Sequence, residues 1–357
     1  MKTFLMPVHR ALPAYVPGTH EESGNVIRLN TNESPYPPSP EVLGAIASES
    51  SKLNFYNDPD CTVLIEALSA HLGVGTANIL AGNGSDQILQ LAFLAFADGD
   101  NPVTLPDVTY SYYDLFAALY GIPLRRIKLE PDFSMNPAAW QSAEGMLVFP
   151  NPNAPTGLAL QRSEIEGMLQ AHPDQVVLVD EAYVDFGAET AVPLIRQYPN
   201  LLVVRTFSKS GSLAGIRLGY AVGSESLIAD LAKVRNAVDL YGVNRLAQAA
   251  GTAACRHWTY YEENCRRIVD ARRETTEGLR ALGFTVTDSL GNFVFVRPAR
   301  ISASDLQKRL MDRGILVRHF KTERTNDWLR ITIGTMDEMK KLLDACREIL
   351  NGQEECP

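Results

Sequence analysis

A chain of 357 residues and 39.3 kDa is too long for one small core and too short for three ordinary domains, so two packed units or one large α/β unit are expected. Its 45% hydrophobic and 21% charged residues exclude disorder, collagen-like repeats and coiled coils. Thirty-three Lys and Arg against 42 Asp and Glu leave a net charge of −9, which argues against a nonspecific partner for nucleic acid or an anionic membrane.

Five cysteines (Cys61, Cys255, Cys265, Cys346, Cys356) form no CxxC and have no matching His spacing, so neither a disulfide framework nor a zinc site is expected. The only apolar run before Pro7 is Phe4 to Met6, far short of a signal peptide's apolar region, and the longest apolar runs, such as Leu91 to Ala97, are too short for a bilayer. A cytoplasmic enzyme is the expectation.

Residues 1–38, rich in Pro, Asn, Gly and Ser, show no sustained period and read as an extended N-terminal arm. Ser39, with Pro40 at the first helical position, opens a large domain over 39–244. There, helical stretches near 61–72, 85–97, 109–120 and 161–171 alternate with apolar runs of strand character: Met146 to Phe149, Val176 to Val179, Leu201 to Val204 and Leu218 to Val222. Such alternation implies βαβ units and a mainly parallel buried sheet. From 245 to 357 the texture changes. A long helical stretch over 245–282 precedes strands at Phe284 to Thr287, Phe293 to Val296, Ile315 to Val317 and Leu329 to Ile333, with a helix from Ser304 and a last helix opened by a capping box, Thr335 to Glu338. A smaller α+β domain follows from that order.

Ligands of open parallel sheets sit at the carboxyl ends of the strands, which directs attention to four segments. Gly82-Asn83-Gly84-Ser85-Asp86 enters a helix and offers free backbone N–H groups to a phosphate, or is a plain helix N-cap by Ser85. Asp180 ends a buried run and needs a cation, either a protonated ring nitrogen of a ligand or an arginine. Lys209, in Thr206-Phe207-Ser208-Lys209 with Arg217 nearby, is a potential Schiff-base nucleophile or a solvated loop lysine. The fourth segment is Asn151-Pro152-Asn153-Ala154-Pro155-Thr156-Gly157.

Together with Leu29-Asn30-Thr31-Asn32-Glu33-Ser34-Pro35-Tyr36, Asp180-Glu181-Ala182-Tyr183, Ala214-Gly215-Ile216-Arg217-Leu218-Gly219-Tyr220 and Leu329-Arg330-Ile331-Thr332, these segments resemble the fold-type I pyridoxal-phosphate aminotransferases, and within them the histidinol-phosphate aminotransferases. The resemblance covers nearly the whole chain. It implies an α/β large domain built on a mainly parallel seven-stranded sheet, a smaller α+β C-terminal domain, a homodimer, and pyridoxal 5′-phosphate as cofactor. Lys209 would bind the cofactor and move the proton at substrate Cα, and Asp180 would keep the ring nitrogen protonated. Tyr183 would donate to the ring oxygen O3′ and Tyr110 would stack on the ring. Gly84, Ser85, Asp86, Ser208 and Arg217 would hold the phosphate.

The family usually has asparagine where this chain has Ala154, so Asn153 is a substitute to consider. Arg330 would take the α-carboxylate of glutamate or 2-oxoglutarate, and Arg318 a second anion, the phosphate of histidinol phosphate or the distal carboxylate of glutamate. Tyr15 would contact the substrate, and Tyr56 the cofactor of the neighbouring subunit. An aromatic or broad-range aminotransferase and a phosphothreonine decarboxylase share much of this pattern and are the alternatives.

Overall fold

The computed structural model describes residues 4–6, 9, 10, 12 and 26–352. In chain order its strands are β1 (Ile27–Leu29), β2 (Ile79–Gly82), β3 (Val103–Pro106), β4 (Leu124–Ile127), β5 (Met146–Pro150), β6 (Val177–Asp180), β7 (Leu201–Thr206), β8 (Gly219–Gly223), β9 (Thr285–Val286), β10 (Phe293–Arg297), β11 (Ile315–His319) and β12 (Leu329–Thr332). Its α-helices are α1 (Pro40–Glu49), α2 (Thr62–Leu72), α3 (Gly84–Phe96), α4 (Tyr112–Tyr120), α5 (Arg162–Ala171), α6 (Glu225–Val238), α7 (Arg245–Arg256), α8 (Trp258–Ala281), α9 (Ala303–Met311) and α10 (Met336–Asn351).

The large sheet has the order β2-β8-β7-β6-β5-β3-β4, and β8 alone runs against its neighbours. Alternate residues of its central strands face opposite sides: Leu147, Phe149, Val177 and Val179 enter one apolar cluster, Val148 and Leu178 the other. Helices cover both faces, which is why these strands read as unbroken apolar runs rather than alternating ones. The small sheet has the order β1-β11-β12-β10-β9 and packs against α8, α9 and α10 around a third cluster.

Ser39 caps α1 through its side chain with Pro40 in the first turn, and Thr335 and Glu338 complete the capping box of α10, both as the sequence indicates. Two expectations change. Part of the arm, Ile27–Leu29, is a strand paired in parallel with β11, because its pairing partner lies far along the chain where local periodicity cannot register it. The stretch over 245–282 is two helices broken at His257. The first packs with α1 and α2 into the large-domain cluster through Ala247, Ala250 and Ala254, as does Tyr261. The apolar core changes hands only between Tyr261 and Cys265, later in the chain than the change of texture at Asn244. No helix among the described residues is long and apolar enough to cross a membrane.

Candidate active site

Asp180 is the last residue of β6 and is 4% exposed. Its oxygens accept from the Tyr113 hydroxyl at 2.9 Å and the Ala182 N–H at 3.1 Å. Burial pushes its carboxyl up to about 6, against the pull of those two donors. Among the described residues no arginine or lysine lies within ion-pairing distance, so the carboxylate is solvated by neutral donors and open to a cation. Tyr113 is fully buried on the first turn of α4, and no role for it was read from the sequence.

Lys209 follows β7, and its Nζ donates to the Thr31 carbonyl at 3.1 Å and lies 5.8 Å from the centre of the Tyr183 ring. Tyr183 is buried, with its ring edge-on to Phe293 at 5.0 Å and its hydroxyl accepting from Asn32 Nδ2 at 3.0 Å. The entry segment thus reaches the cleft with three successive residues, since Arg330 Nη2 donates to the Asn30 carbonyl at 3.1 Å.

The segment read in the sequence as a phosphate cradle opens α3. This helix begins at Gly84 (φ 79°), after Asn83, and no side chain caps it, so Ser85 is not the N-cap and the first-turn N–H groups remain available. A Cβ on Gly84 would stand 2.7 Å from Arg217 Nη2, and one on Gly219 would stand 2.4 Å from the Ser85 nitrogen. Both glycines let strand, helix start and guanidinium converge, and Gly219 is a contributor that the sequence reading missed. Arg217 reaches Ser208 Oγ at 3.4 Å and Asp86 at 2.8 Å. The other Asp86 oxygen accepts from the Tyr110 hydroxyl at 3.0 Å, so its carboxylate orients Arg217 and Tyr110. The Tyr110 ring is stacked on Tyr112 at 5.4 Å.

Asn153 cannot replace the missing asparagine. Its Nδ2 hydrogens go to the Val108 carbonyl (2.9 Å) and Thr156 Oγ1 (3.2 Å), and only its buried, unpartnered Oδ1 is left. An oxygen cannot donate to a ring oxygen anion. The side chain instead holds the turn over residues 153–157, and Ala154 is buried in the same cluster as Tyr183.

Arg318 on β11 and Arg330 on β12 are directly opposite in register. Their guanidinium carbons lie 5.9 and 5.6 Å from the centre of the Phe320 ring. Tyr56 stands on an exposed loop, 80% accessible, with its ring 4.8 Å from that of Tyr241. Tyr15 lies outside the described residues.

A buried carboxylate awaiting a cation, an adjacent lysine, and an uncapped helix start facing an arginine are the donor set that pyridoxal phosphate requires, so the residues fit that group. The chain matches the family model described as aminotransferase class I and II over residues 24–346. It is 45% identical over 350 residues to histidinol-phosphate aminotransferase 1 of Bradyrhizobium diazoefficiens, covering 98% of this chain and 100% of that one. It is 46% identical over 354 residues to histidinol-phosphate aminotransferase 2 of Dechloromonas aromatica, covering 98% and 99%. The crystal structure of histidinol-phosphate aminotransferase from Sinorhizobium meliloti in complex with pyridoxal-5′-phosphate superposes with a TM-score of 0.86 at 27% identity, covering 98% and 99% of the two chains. The chain therefore belongs to the class I and II aminotransferases, fold-type I enzymes that work with pyridoxal 5′-phosphate, and within them to the histidinol-phosphate aminotransferases.

Proposed function

We propose that this chain transfers an amino group between L-histidinol phosphate and 2-oxoglutarate, alternating between the two substrates at one site. The observation that carries the reading is the pair Arg318 and Arg330, directly opposed on neighbouring strands beside one aromatic ring. Two guanidinium forks held side by side match the oxygens of phosphate and carboxylate groups. A phosphate on one substrate and carboxylates on the other offer such oxygens.

Pyridoxal phosphate, when bound, supplies an electron sink for charge at substrate Cα. Asp180 would hold a proton at the ring nitrogen, and Lys209 Nζ would carry the attachment and move the proton at substrate Cα. Tyr183 would donate to the ring oxygen, and the Tyr110 ring would cover the ring face. The N–H groups of Gly84, Ser85 and Asp86, with Ser208 and Arg217, would hold the phosphate. Arg330 would grip the α-carboxylate of glutamate, and Arg318 the distal anion. By resemblance, Tyr15 would touch the substrate, and Tyr56 would reach the cofactor of a second copy of the chain. The four described cysteines are buried free thiols, which suits a reducing cytoplasm.

The test is Arg318→Ala. It should leave the cofactor spectrum unchanged and lower kcat/KM for L-histidinol phosphate and glutamate by about 30-fold or more, the consequence of losing roughly 2 kcal/mol from a charge pair. L-phenylalanine, with no distal anion, should be nearly unaffected. An equal loss on all three substrates would mean that Arg318 supports the fold and would remove the phosphate-substrate reading.

A further inference from the structure

Asn32 is fully buried and sits in the left-handed region at φ 56°, where asparagine is tolerated and most side chains are not. Every hydrogen-bonding group it has is engaged. Its backbone N–H donates to Thr332 Oγ1 (2.9 Å), and its carbonyl accepts from Asn292 Nδ2 (3.0 Å). The Thr332 hydroxyl donates its one hydrogen to Asn32 Oδ1 (2.9 Å). With Oδ1 held there, Nδ2 faces Tyr183 and donates to its hydroxyl oxygen at 3.0 Å. Tyr183 has one hydroxyl hydrogen, and no protein acceptor takes it among the described residues.

We infer that Asn32, oriented by Thr332, is a positioning residue that aims the Tyr183 hydroxyl hydrogen at the pyridoxal ring oxygen. The inference rests on the proposed role of Tyr183 as donor to that oxygen. The logic is one of direction along a chain of three groups. Thr332 gives its hydrogen to the amide, the amide gives one of its hydrogens to Tyr183, and Tyr183 keeps its own hydrogen to give. Accepting this hydrogen bond from Asn32 also polarises the tyrosine O–H, which strengthens the bond that it donates. This places a donor at the ring oxygen although Ala154 carries no amide and Asn153 has both of its hydrogens committed.

Asn32→Asp keeps the size of the side chain and tolerates the same backbone, but its ionised carboxylate only accepts, so the Tyr183 hydrogen turns towards it. Thr332→Val removes the donor that orients the amide without adding charge. Each variant is compared with the wild type and with Tyr183→Phe, alone and combined, by the pH midpoint of the cofactor's visible absorbance and by the dissociation constant of pyridoxal phosphate from the apoprotein. A donor to the ring oxygen favours its anionic form, so losing the donor raises the midpoint. Asn32→Asp is expected to raise it by about one pH unit and to weaken cofactor binding about tenfold, with a smaller shift of the same sign for Thr332→Val. In the Tyr183→Phe background Thr332→Val should add no shift, and Asn32→Asp only the smaller shift that its charge alone produces. A full shift persisting in that background, or no shift in the Tyr183 background, would overturn the inference. Tyr183→Phe alone leaving the midpoint unchanged would overturn the assignment of Tyr183 instead.

Discussion

Burial of Asp180 makes the stability of the apoprotein depend on pH with a sign opposite to that of most carboxylates. Its carboxyl titrates near 6 when folded, against a usual value of 3.8, so the folded state binds the extra proton between those values. Stability from this group is therefore present below about pH 4 and is lost as pH rises through 6, by up to about 3 kcal/mol at 1.36 kcal/mol per unit. Glu181, pushed up to about 7 by burial, acts in the same direction, so the test compares variants. Chemical denaturation of apoprotein should show Asp180→Asn gaining stability relative to the wild type between pH 4 and pH 7. A constant difference across that range would mean that Asp180 is already ionised and paired. Asp180, Lys209 and Arg217 were legible because each sits where a strand run or a small-residue loop ends. Tyr113 and Asn32 were not, because they act on partners 67 and 151 residues away and local pattern holds no trace of such contacts.

Among the elements, the central strands β5, β6 and β7 declared themselves as apolar runs because both faces are covered. The reading named no strand at β2, β3 or β4. β4 is Leu-Arg-Arg-Ile at the sheet edge, with its arginines exposed, and β3 ends in proline. The capping signals of α1 and α10 lie within four residues and were readable, whereas the break at His257 carries no glycine or proline to announce it. Helices α1 and α2 and the loop between them expose Leu43 (54%), Leu53 (59%), Phe55 (67%), Tyr56 (80%) and Val63 (54%). So many large apolar side chains on one stretch are what the proposed dimer would bury. Sedimentation at micromolar concentration should give twice the 39.3 kDa chain mass. A fully active 39.3 kDa species would contradict that and would take the partner's Tyr56 out of the site.

At the scale of the molecule, the cleft is where two cores meet. Val108, Leu129 and Phe133 pack with Phe295 and Trp328 in a cluster bridging the large and small units, and Arg324 pairs with Asp107 at 2.7 Å beside it. The entry segment leaves β1 in the small sheet and touches Arg330, Lys209 and Tyr183 in turn, so groups from both units are set by one strip of backbone. Composition and periodicity indicated two units, but not that the first strand of the second would come from the start of the chain. The most direct measurement is a half-reaction on the holoenzyme. L-histidinol phosphate, added without an acceptor, should convert the cofactor's visible absorbance to that of its amine form with one equivalent of keto product per site. 2-Oxoglutarate should then restore the original spectrum and yield glutamate. An unchanged spectrum with L-histidinol phosphate, while L-phenylalanine converts the cofactor or phosphothreonine releases carbon dioxide with no acceptor present, would contradict the account.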